Sequence, residues 1–188
     1  MSSFLFGLTI AVANAAWSAK IEQNKKEKLD KLMTGLIYNA KTFEIVLENL
    51  EVPYQRGKTT ATNVYKALDS AGQCVGFSFV ASGPGFADKI ELVVATDGGF
   101  EHILGYNVLS CSETPGFGDK IKTDYYRSQF SGPPAESFTV VKTGDSKLID
   151  NQIVAISGAT VSSAAVVKIF NTYIEQIKKQ LQTKGLIK

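Results

Sequence analysis

The chain of 188 residues is poor in the side chains that most often carry catalysis and bind metals. It has one histidine, His102, and two cysteines, Cys74 and Cys111. A Ser/His/Asp triad or a histidine-based metal site would depend on that single imidazole, and the two cysteines lack metal-ligand spacing. The neighbours of His102 alternate as in a strand, so we interpret it as a strand histidine. We therefore expect neither a hydrolase nor a resident metal.

An excess of charge of one sign is also lacking. Lysine and arginine together number 20 and the acidic residues 18, which gives a net charge of +2. No basic stripe is interleaved with aromatic residues, so nucleic acid is not an expected partner. The glycine fingerprint of a dinucleotide-binding Rossmann unit is missing as well, and no parallel βαβ pattern is present.

The beginning of the chain is uncharged. Residues 4–17 contain no charge and end at Trp17, and a charged segment follows. This run is shorter than the roughly 20 apolar residues of an ordinary membrane span, and it lacks the basic start of a signal peptide. We predict that residues 1–20 are a membrane-anchor helix, either short or incomplete at its start, with Trp17 at the interface. By the positive-inside rule alone, the lysines that follow would argue for a cytoplasmic domain: Lys20, Lys25, Lys26 and Lys28.

Residues 21–58 are predicted to form a helical stalk between the anchor and the domain. Apolar residues recur at helical spacing, with possible interruptions at Gly35 and Asn39. The pattern comprises Leu29, Leu32, Met33, Leu36 and Ile37, and then Phe43, Val46, Leu47 and Leu50.

From residue 59 to residue 188 we predict one α+β domain. Alternation of period two indicates four strands, at 64–69, 74–80, 90–95 and 102–109. They predict a twisted antiparallel sheet packed against helices, chiefly a long helix over about 160–182 that ends near Gly185. Between these elements we expect a glycine-rich loop at 82–86, a short helix at 119–130 and an edge strand at 138–141.

The segment Ile156–Ser163 precedes the long helix and is rich in small and hydroxyl residues. Its hydroxyl residues suit the N-cap or first turn of that helix. A helix N-terminus offers free N–H groups to an anion, and Gly158 and Ala159 let a phosphate approach the backbone. The pattern also fits a well-capped helix that binds nothing. The four hydroxyl residues are Ser157, Thr160, Ser162 and Ser163.

A second segment, Glu-Thr-Pro-Gly-Phe-Gly at 113–118, completes a pair of motifs in a fixed order. Together with Ser-Gly-Ala-Thr at 157–160, it resembles the FMN-binding domain shared by the G subunit of Rnf complexes and the C subunit of sodium-pumping NADH:quinone reductases. The resemblance covers roughly residues 60–180. Three positions depart from the family pattern: Phe117 replaces an aliphatic residue, Cys111 a common histidine, and Val154 a common acidic residue, with Asp150 as the nearest carboxylate.

The resemblance implies the cofactor and its site. In that family the threonine of the motif carries FMN as a phosphoester, and Thr160 is the matching residue. The loop at 113–118 would lie against the isoalloxazine ring. The implied cofactor-binding residues are Thr160, Ser157, Gly158, Ala159, Ser162, Ser163, Glu113, Thr114, Pro115, Gly116 and Gly118.

The resemblance also implies a function. It identifies a redox subunit of an Rnf-type complex that passes electrons between ferredoxin and NAD and moves sodium ions or protons. Its partners would be the other membrane subunits and, during maturation, a flavin transferase. The domain would lie on the extracytoplasmic side of a single-pass anchor. Three alternatives stay open: a stand-alone membrane-anchored FMN carrier, the C subunit of a quinone reductase, and an adaptor that has lost the cofactor.

Overall fold

A computed structural model describes residues 20–55 and 57–188. The predicted anchor at residues 1–20 lies outside the described residues except for Lys20. Among the described residues, no helix is both long and apolar enough to cross a membrane. The helices and strands are α1 (20–36), β1 (Thr42–Gln55), β2 (Lys58–Leu68), β3 (Cys74–Pro84), β4 (Lys89–Thr96), β5 (Ile103–Cys111), α2 (Asp124–Arg127), β6 (Thr139–Val141), β7 (Gln152–Val154) and α3 (Thr160–Thr183).

The central layer is a five-stranded antiparallel sheet in the order β1-β2-β3-β4-β5. The four predicted strands are confirmed as β2 to β5. The β2–β3 turn is closed by the Asp69 carboxylate, which accepts the N–H groups of Ala71 and Gln73 at 2.8 and 2.9 Å. Asp, with its short acceptor, and Gly72 at a φ of 75° are typical of such turns. The sheet is therefore a meander in which each strand pairs with the next along the chain.

The second half of the predicted stalk is not helical, and this prediction is wrong. Residues 42–55 form β1, an edge strand that pairs with β2. Its register shifts between Ile45 and Leu47 and again between Leu47 and Leu50, and Asn49 has a positive φ of 49°. Bulges of this kind break the two-residue alternation of a strand. The apolar residues consequently fall at intervals that imitate a helix.

The face of the sheet under α3 holds the main core. Apolar residues of α3 belong there to one buried cluster with residues of β3, β4 and β5, and its core residues on α3 are at most 5% exposed. Tyr173 stacks on Phe79 with ring centroids 6.2 Å apart. The ring centroid of Phe170 lies 4.6 Å from that of Phe130 and 5.5 Å from that of Tyr106. The predicted role of the long helix as cover for the sheet is confirmed.

The opposite face is covered by α1, so the first half of the predicted stalk is packed on the domain. Met33 is 1% exposed and Ile37 3% exposed, and both contact residues of the central strands. Near the start of α1, Lys25 Nζ lies 3.2 Å from a carboxylate oxygen of Glu91 on β4. The helix is thus fastened to the sheet by a short apolar stripe and an ion pair.

Three further predictions need correction. The predicted helix at 119–130 is a 3₁₀ turn (Gly118–Lys122), the single-turn helix α2 and a second 3₁₀ turn (Ser128–Phe130). The predicted loop at 82–86 begins later, because residues 82–84 belong to β3. The predicted edge strand is β6, which pairs in parallel with β7 rather than joining the main sheet.

The C-terminus of α3 ends as predicted at Gly185. This residue has a φ of 66°, and the N–H of Leu186 bonds to the carbonyl of Leu181 while Gly185 bonds to Gln182. The pair of bonds is a Schellman motif, which needs a residue in the left-handed region. Glycine supplies that conformation without strain.

Candidate functional site

A pocket of about 460 Å³ opens at the N-terminus of α3. Three segments form its walls: the β3–β4 turn, the loop after β5, and the start of α3. The sequence separates these segments widely, and the fold brings them together at one end of the sheet. The residues that line the pocket are Phe86, Thr114, Phe117, Gly118, Gly158, Ala159, Thr160, Val161 and Ser162.

Thr160 is the first residue of α3, and its side chain is exposed in the pocket wall. The N-cap is Ala159, which has no side chain able to accept a hydrogen bond, and no side chain caps the helix. The first N–H groups of a helix lack partners within it. The N–H groups of Thr160, Val161 and Ser162 are therefore available to an anion at the positive end of the helix dipole.

Three of the hydroxyl residues, Thr160, Ser162 and Ser163, lie in the first turn of α3 as predicted, but none of them is the N-cap. Ser163 is fully buried, donates from Oγ to the carbonyl of Ala159 at 3.0 Å, and accepts the N–H of Ile156 at 3.0 Å. Ser162 is buried and donates to the carboxylate of Glu113. Two of the four hydroxyl groups thus stabilise the turn before the helix and the loop beside it. In this structure they are not free to donate to a ligand.

Glu113 is buried beneath the pocket, with 5% of its surface exposed. Besides Ser162, it accepts the backbone N–H of Ala87, in the β3–β4 turn, at 3.0 Å. Its own backbone belongs to the loop after β5. A single carboxylate therefore contacts all three walls of the pocket.

Two glycines make room for this carboxylate. A Cβ atom on Gly85 would lie 2.3 Å from Oε1 of Glu113, and one on Gly118 would lie 2.7 Å from Oε2 and 2.5 Å from the Ser162 hydroxyl. Contacts this short are not tolerated between non-bonded heavy atoms. Glycine is consequently required at both positions while Glu113 keeps its place.

Aromatic rings form the outer part of the pocket. Phe86 is 67% exposed and Phe117 54% exposed, although both are large apolar side chains. The ring of Phe117 lies against Gly158, where an added Cβ would be 3.3 Å from Cδ1. Gly158 also has a φ of 79°, which favours glycine. Exposed rings at a pocket mouth are suited to cover a flat apolar ligand.

The structure brings together about half of the predicted site residues. Thr114, Gly118, Gly158, Ala159, Thr160 and Ser162 line the pocket. Glu113 and Ser163 lie buried behind it, and Ser157, Pro115 and Gly116 are exposed outside its lining. Sequence reasoning missed Phe86, Phe117 and Val161 as site residues. Phe86 stands in a glycine-rich segment that the sequence analysis noted, and Phe117 inside the second motif, so the signal was present in both cases.

Val154, which replaces the family's usual acidic residue, is buried in β7. The side-chain amide of Gln129 brackets its backbone: Oε1 accepts the Val154 N–H at 2.8 Å, and Nε2 donates to its carbonyl. Asp150 accepts the N–H of Gln152 at 2.7 Å, and β7 pairs with β6 without a register shift. No bulge brings Asp150 to the place of residue 154.

The floor under the start of α3 is aromatic. The hydroxyl of Tyr126 donates to the carbonyl of Ser163 at 3.0 Å. Burial raises the pKa of Tyr126, and the hydrogen bond to Ser163 offsets only part of this rise. Tyr126 therefore stays a neutral donor, and its ring packs against Phe130 with centroids 5.6 Å apart.

His102 is exposed and lies at an isolated bridge to Pro134, rather than inside β5. Together with Asp97 and Glu101 it offers ligand atoms within 4.8 Å of one another. Asp97 already has a local role, because Oδ1 accepts the Glu101 N–H at 2.7 Å and closes the turn. Exposed acidic turns of this kind are common in proteins and indicate no metal by themselves.

The pocket has the features that FMN needs. Its volume lies in the range of small-molecule sites, its outer walls are apolar and aromatic, and an uncapped helix N-terminus can receive a phosphate. Among the described residues, none that lines the pocket is charged. The residues present therefore fit the cofactor that the sequence resemblance implies.

Comparisons with known proteins agree with this geometry. The FMN-binding domain family matches residues 85–175. The G subunit of an ion-translocating oxidoreductase complex from Methanosarcina acetivorans is 34% identical over 116 residues, which are 62% of this chain and 58% of that protein. The G subunit of a proton-translocating ferredoxin:NAD(+) oxidoreductase complex from Clostridium ljungdahlii is 27% identical over 179 residues, which are 94% and 86%. The chain thus spans little more than half the length of the Methanosarcina relative.

Two solved structures share the fold. NqrC from Shewanella oneidensis has a TM-score of 0.56 at 23% identity, and the match covers 78% of this chain and 73% of that one. The C subunit of the Na(+)-translocating NADH-quinone reductase from Parabacteroides distasonis has a TM-score of 0.58 at 21% identity, covering 83% and 94%. These likenesses confirm the α+β fold with its antiparallel sheet. Residues 85–175 thus match the FMN-binding domain family, and the chain is similar to the G subunits of Rnf-type complexes.

Proposed function

We propose that the chain is the flavin-carrying electron-transfer subunit of a membrane Rnf-type complex, with one FMN joined to Thr160 through its phosphate. The relatives named above support the complex, and the pocket at the start of α3 supports the cofactor. FMN supplies one- and two-electron chemistry when bound, while the protein supplies position and electrostatics.

The position of Thr160 carries this proposal. Thr160 combines an exposed hydroxyl, a place in the pocket wall and the first position of a long helix. Ser162, the other hydroxyl residue of α3 in the wall, is buried and donates to Glu113. A transferase can therefore reach the Thr160 hydroxyl, while the Ser162 hydroxyl is engaged.

Around Thr160 the chain offers groups for both ends of the cofactor. The free N–H groups at the start of α3 would hold the phosphate. The rings of Phe86 and Phe117 would cover the apolar part of the isoalloxazine, and the backbone of the loop at 113–118 would bond its polar edge. Since none of the described residues that line the pocket is charged, an ester bond would hold the flavin in place without a cation for its phosphate.

Attachment joins the Thr160 Oγ to the flavin phosphorus. The bond from that phosphorus to the leaving group of an activated flavin donor breaks, and the hydroxyl proton leaves with that group. Relative to free FMN, the chain gains one FMN less one water. We expect a flavin transferase to catalyse this step and to accept Val154 in place of the acidic residue that is common in the family.

The relatives' names support a wider assembly around this chain. The chain would relay electrons between ferredoxin and NAD within a membrane complex that translocates sodium ions or protons. It would be held by an anchor at its N-terminus, with the domain on the extracytoplasmic side. The stand-alone carrier, the quinone-reductase subunit and the adaptor without cofactor are the alternatives that experiments must separate.

The test is the intact mass of the denatured protein. The full chain is produced with an export signal and a flavin transferase, next to Thr160→Ala and the control Thr183→Ala. Thr183 is an exposed threonine at the far end of the same helix. We expect the added mass in wild type and Thr183→Ala, and its complete absence in Thr160→Ala.

Two other results would lead to other conclusions. An unmodified wild-type chain, under conditions that modify another member of the family, would contradict the covalent flavin and favour the adaptor. A flavinylated chain that is purified from its native membrane without other subunits would favour the stand-alone carrier.

A further inference from the structure

Glu113 is the only charged side chain that is buried among the residues the structure describes. Burial of a carboxylate is costly unless hydrogen bonds compensate for the lost water. Here both oxygens accept a bond, one from the N–H of Ala87 and one from the hydroxyl of Ser162. The two donors belong to different walls of the pocket.

The two contacts fix the groups that the proposed flavin would meet. Ala87 follows Phe86 directly, and the turn that carries them is closed by a bond from the Gly85 N–H to the Asp88 carbonyl at 2.8 Å. Ser162 stands two residues after Thr160 in the first turn of α3. The Glu113 side chain thus sets the separation between Phe86 in the aromatic wall and Thr160, the proposed attachment point.

The place of the carboxylate is built into the surrounding backbone. Gly85 and Gly118 approach its oxygens more closely than any other residue allows. A side chain that only filled space would not need two glycines shaped around its polar atoms. A carboxylate also accepts hydrogen bonds without donating any, which suits two donors from two segments.

The same carboxylate bears on the electrostatics of the pocket. It contacts Ser162 and Gly118, which both line the pocket, and none of the lining residues has a charge to offset it. Reduction adds negative charge to a flavin ring. A carboxylate nearby that is itself buried disfavours that addition.

We propose that Glu113 is the positioning residue of the flavin pocket, which ties the Phe86 turn to the start of α3 and lowers the reduction potential of the flavin. The flavin part of this inference rests on the proposed function. The hydrogen bonds from Ala87 and Ser162 to Glu113 are present in the chain without cofactor. The positioning role of Glu113 and its effect on the flavin can therefore fail separately.

The tie is tested by hydrogen exchange on the full chain without flavin. Glu113→Gln keeps the size of the side chain but leaves one acceptor for two donors. We expect amide exchange in 85–88 and 157–163 to be about tenfold faster, as for the loss of a buried hydrogen bond. Ser162→Ala should affect mainly 157–163, and Glu175→Gln, an exposed residue on α3, should change neither segment.

The reduction potential is then measured on the flavinylated proteins. We expect a higher midpoint potential in Glu113→Gln than in wild type, and no change in Glu175→Gln. A loss of packing alone would speed exchange in both segments but would not raise the midpoint potential of the flavin. Wild-type exchange rates in Glu113→Gln at both segments would overturn the proposal, and so would faster exchange with an unchanged potential. If wild type carries no flavin, the proposed function fails, and the exchange experiment still decides whether Glu113 ties the walls.

Discussion

The two faces of the sheet are covered by helices in different ways. Under α3 the contact is aromatic and continuous, and residues such as Ile177 and Leu181 have no exposed surface. Under α1 the apolar stripe is short, and a polar groove of about 520 Å³ lies between the helix and the strands. Lys25, Lys89 and Glu91 stand in that groove.

This difference indicates that the two faces of the sheet have different roles. The pocket lies at the N-terminus of α3, so the packing that stabilises the domain also positions Thr160. The α1 face adds fewer contacts, and its helix leads back toward the predicted anchor. We therefore expect substitutions under α3 to affect the whole domain, and those under α1 to affect mainly the attachment of one helix.

The largest expected effect is that of Phe170→Ala. This ring is 1% exposed and contacts Tyr106, Phe130 and Phe138. Its removal should cost about 3–5 kcal/mol of the free energy of unfolding, since a large cavity forms in an aromatic cluster. Met33→Ala on the α1 face is the matched control and should cost only about 2 kcal/mol. Urea unfolding of both variants checks the order, and equal losses would remove the distinction between the faces.

Gly83→Ala should have an intermediate effect. An added Cβ would lie 2.5 Å from Cγ1 of Ile169 on α3, so the helix must shift or the side chain must leave its rotamer. We expect a loss of about 1–3 kcal/mol. In an Ile169→Ala background the clash is gone, and Gly83→Ala should cost much less. A double-mutant cycle measures this coupling, and strictly additive losses would show that the contact does not limit helix packing.

The smallest effect is expected on the other face, at Glu91. Burial raises the pKa of this carboxyl, but the hydrogen bonds and charges of Lys89 and Lys25 outweigh it and lower the pKa overall. A lowered folded-state pKa contributes stability above the unfolded pKa, and this stability is lost as the pH falls through the folded value. Glu91→Gln should therefore cost about 0.5–1 kcal/mol at pH 7.

The pH dependence makes this prediction specific. As the pH falls through the lowered pKa of the folded state, the wild-type carboxyl becomes protonated and neutral, so the difference in stability between wild type and Glu91→Gln should shrink. A series of paired unfolding curves from neutral to acidic pH gives the measurement. Glu48→Gln, an exposed strand residue, serves as the control. A difference that persists at low pH would mean that the ion pairs are not its source.

The elements with regular alternation could be predicted from the sequence, and β1 could not. Strands β2 to β5 and helix α3 show the period of their structure over most of their length. In β1, three register shifts interrupt the alternation of the strand, and Phe43, Leu47 and Leu50 follow one another after four and three residues, which is the spacing of a helix face. The bulges depend on pairing with β2, so the local sequence does not reveal them.

The site shows the same limit. Thr160 and Gly118 are recognisable because their motifs are local. The bond of Ser162 is not, because its acceptor, Glu113, lies 49 residues earlier in the chain. Phe86 lines the pocket next to a bond between Glu113 and Ala87, which links segments that are distant in the sequence.

The close approach of Gly85 and Gly118 to Glu113 has a consequence for how this sequence can change. A side chain at either glycine displaces the carboxylate, so a substitution there also disturbs the contacts of residue 113. Removal of the carboxylate alone frees neither position, because a Cβ on Gly85 would still lie 2.6 Å from the Asp88 carbonyl oxygen, and one on Gly118 would still lie 2.5 Å from the Ser162 hydroxyl. The two glycines therefore restrict how residue 113 can change, whereas a change at residue 113 leaves both glycines restricted by their other neighbours.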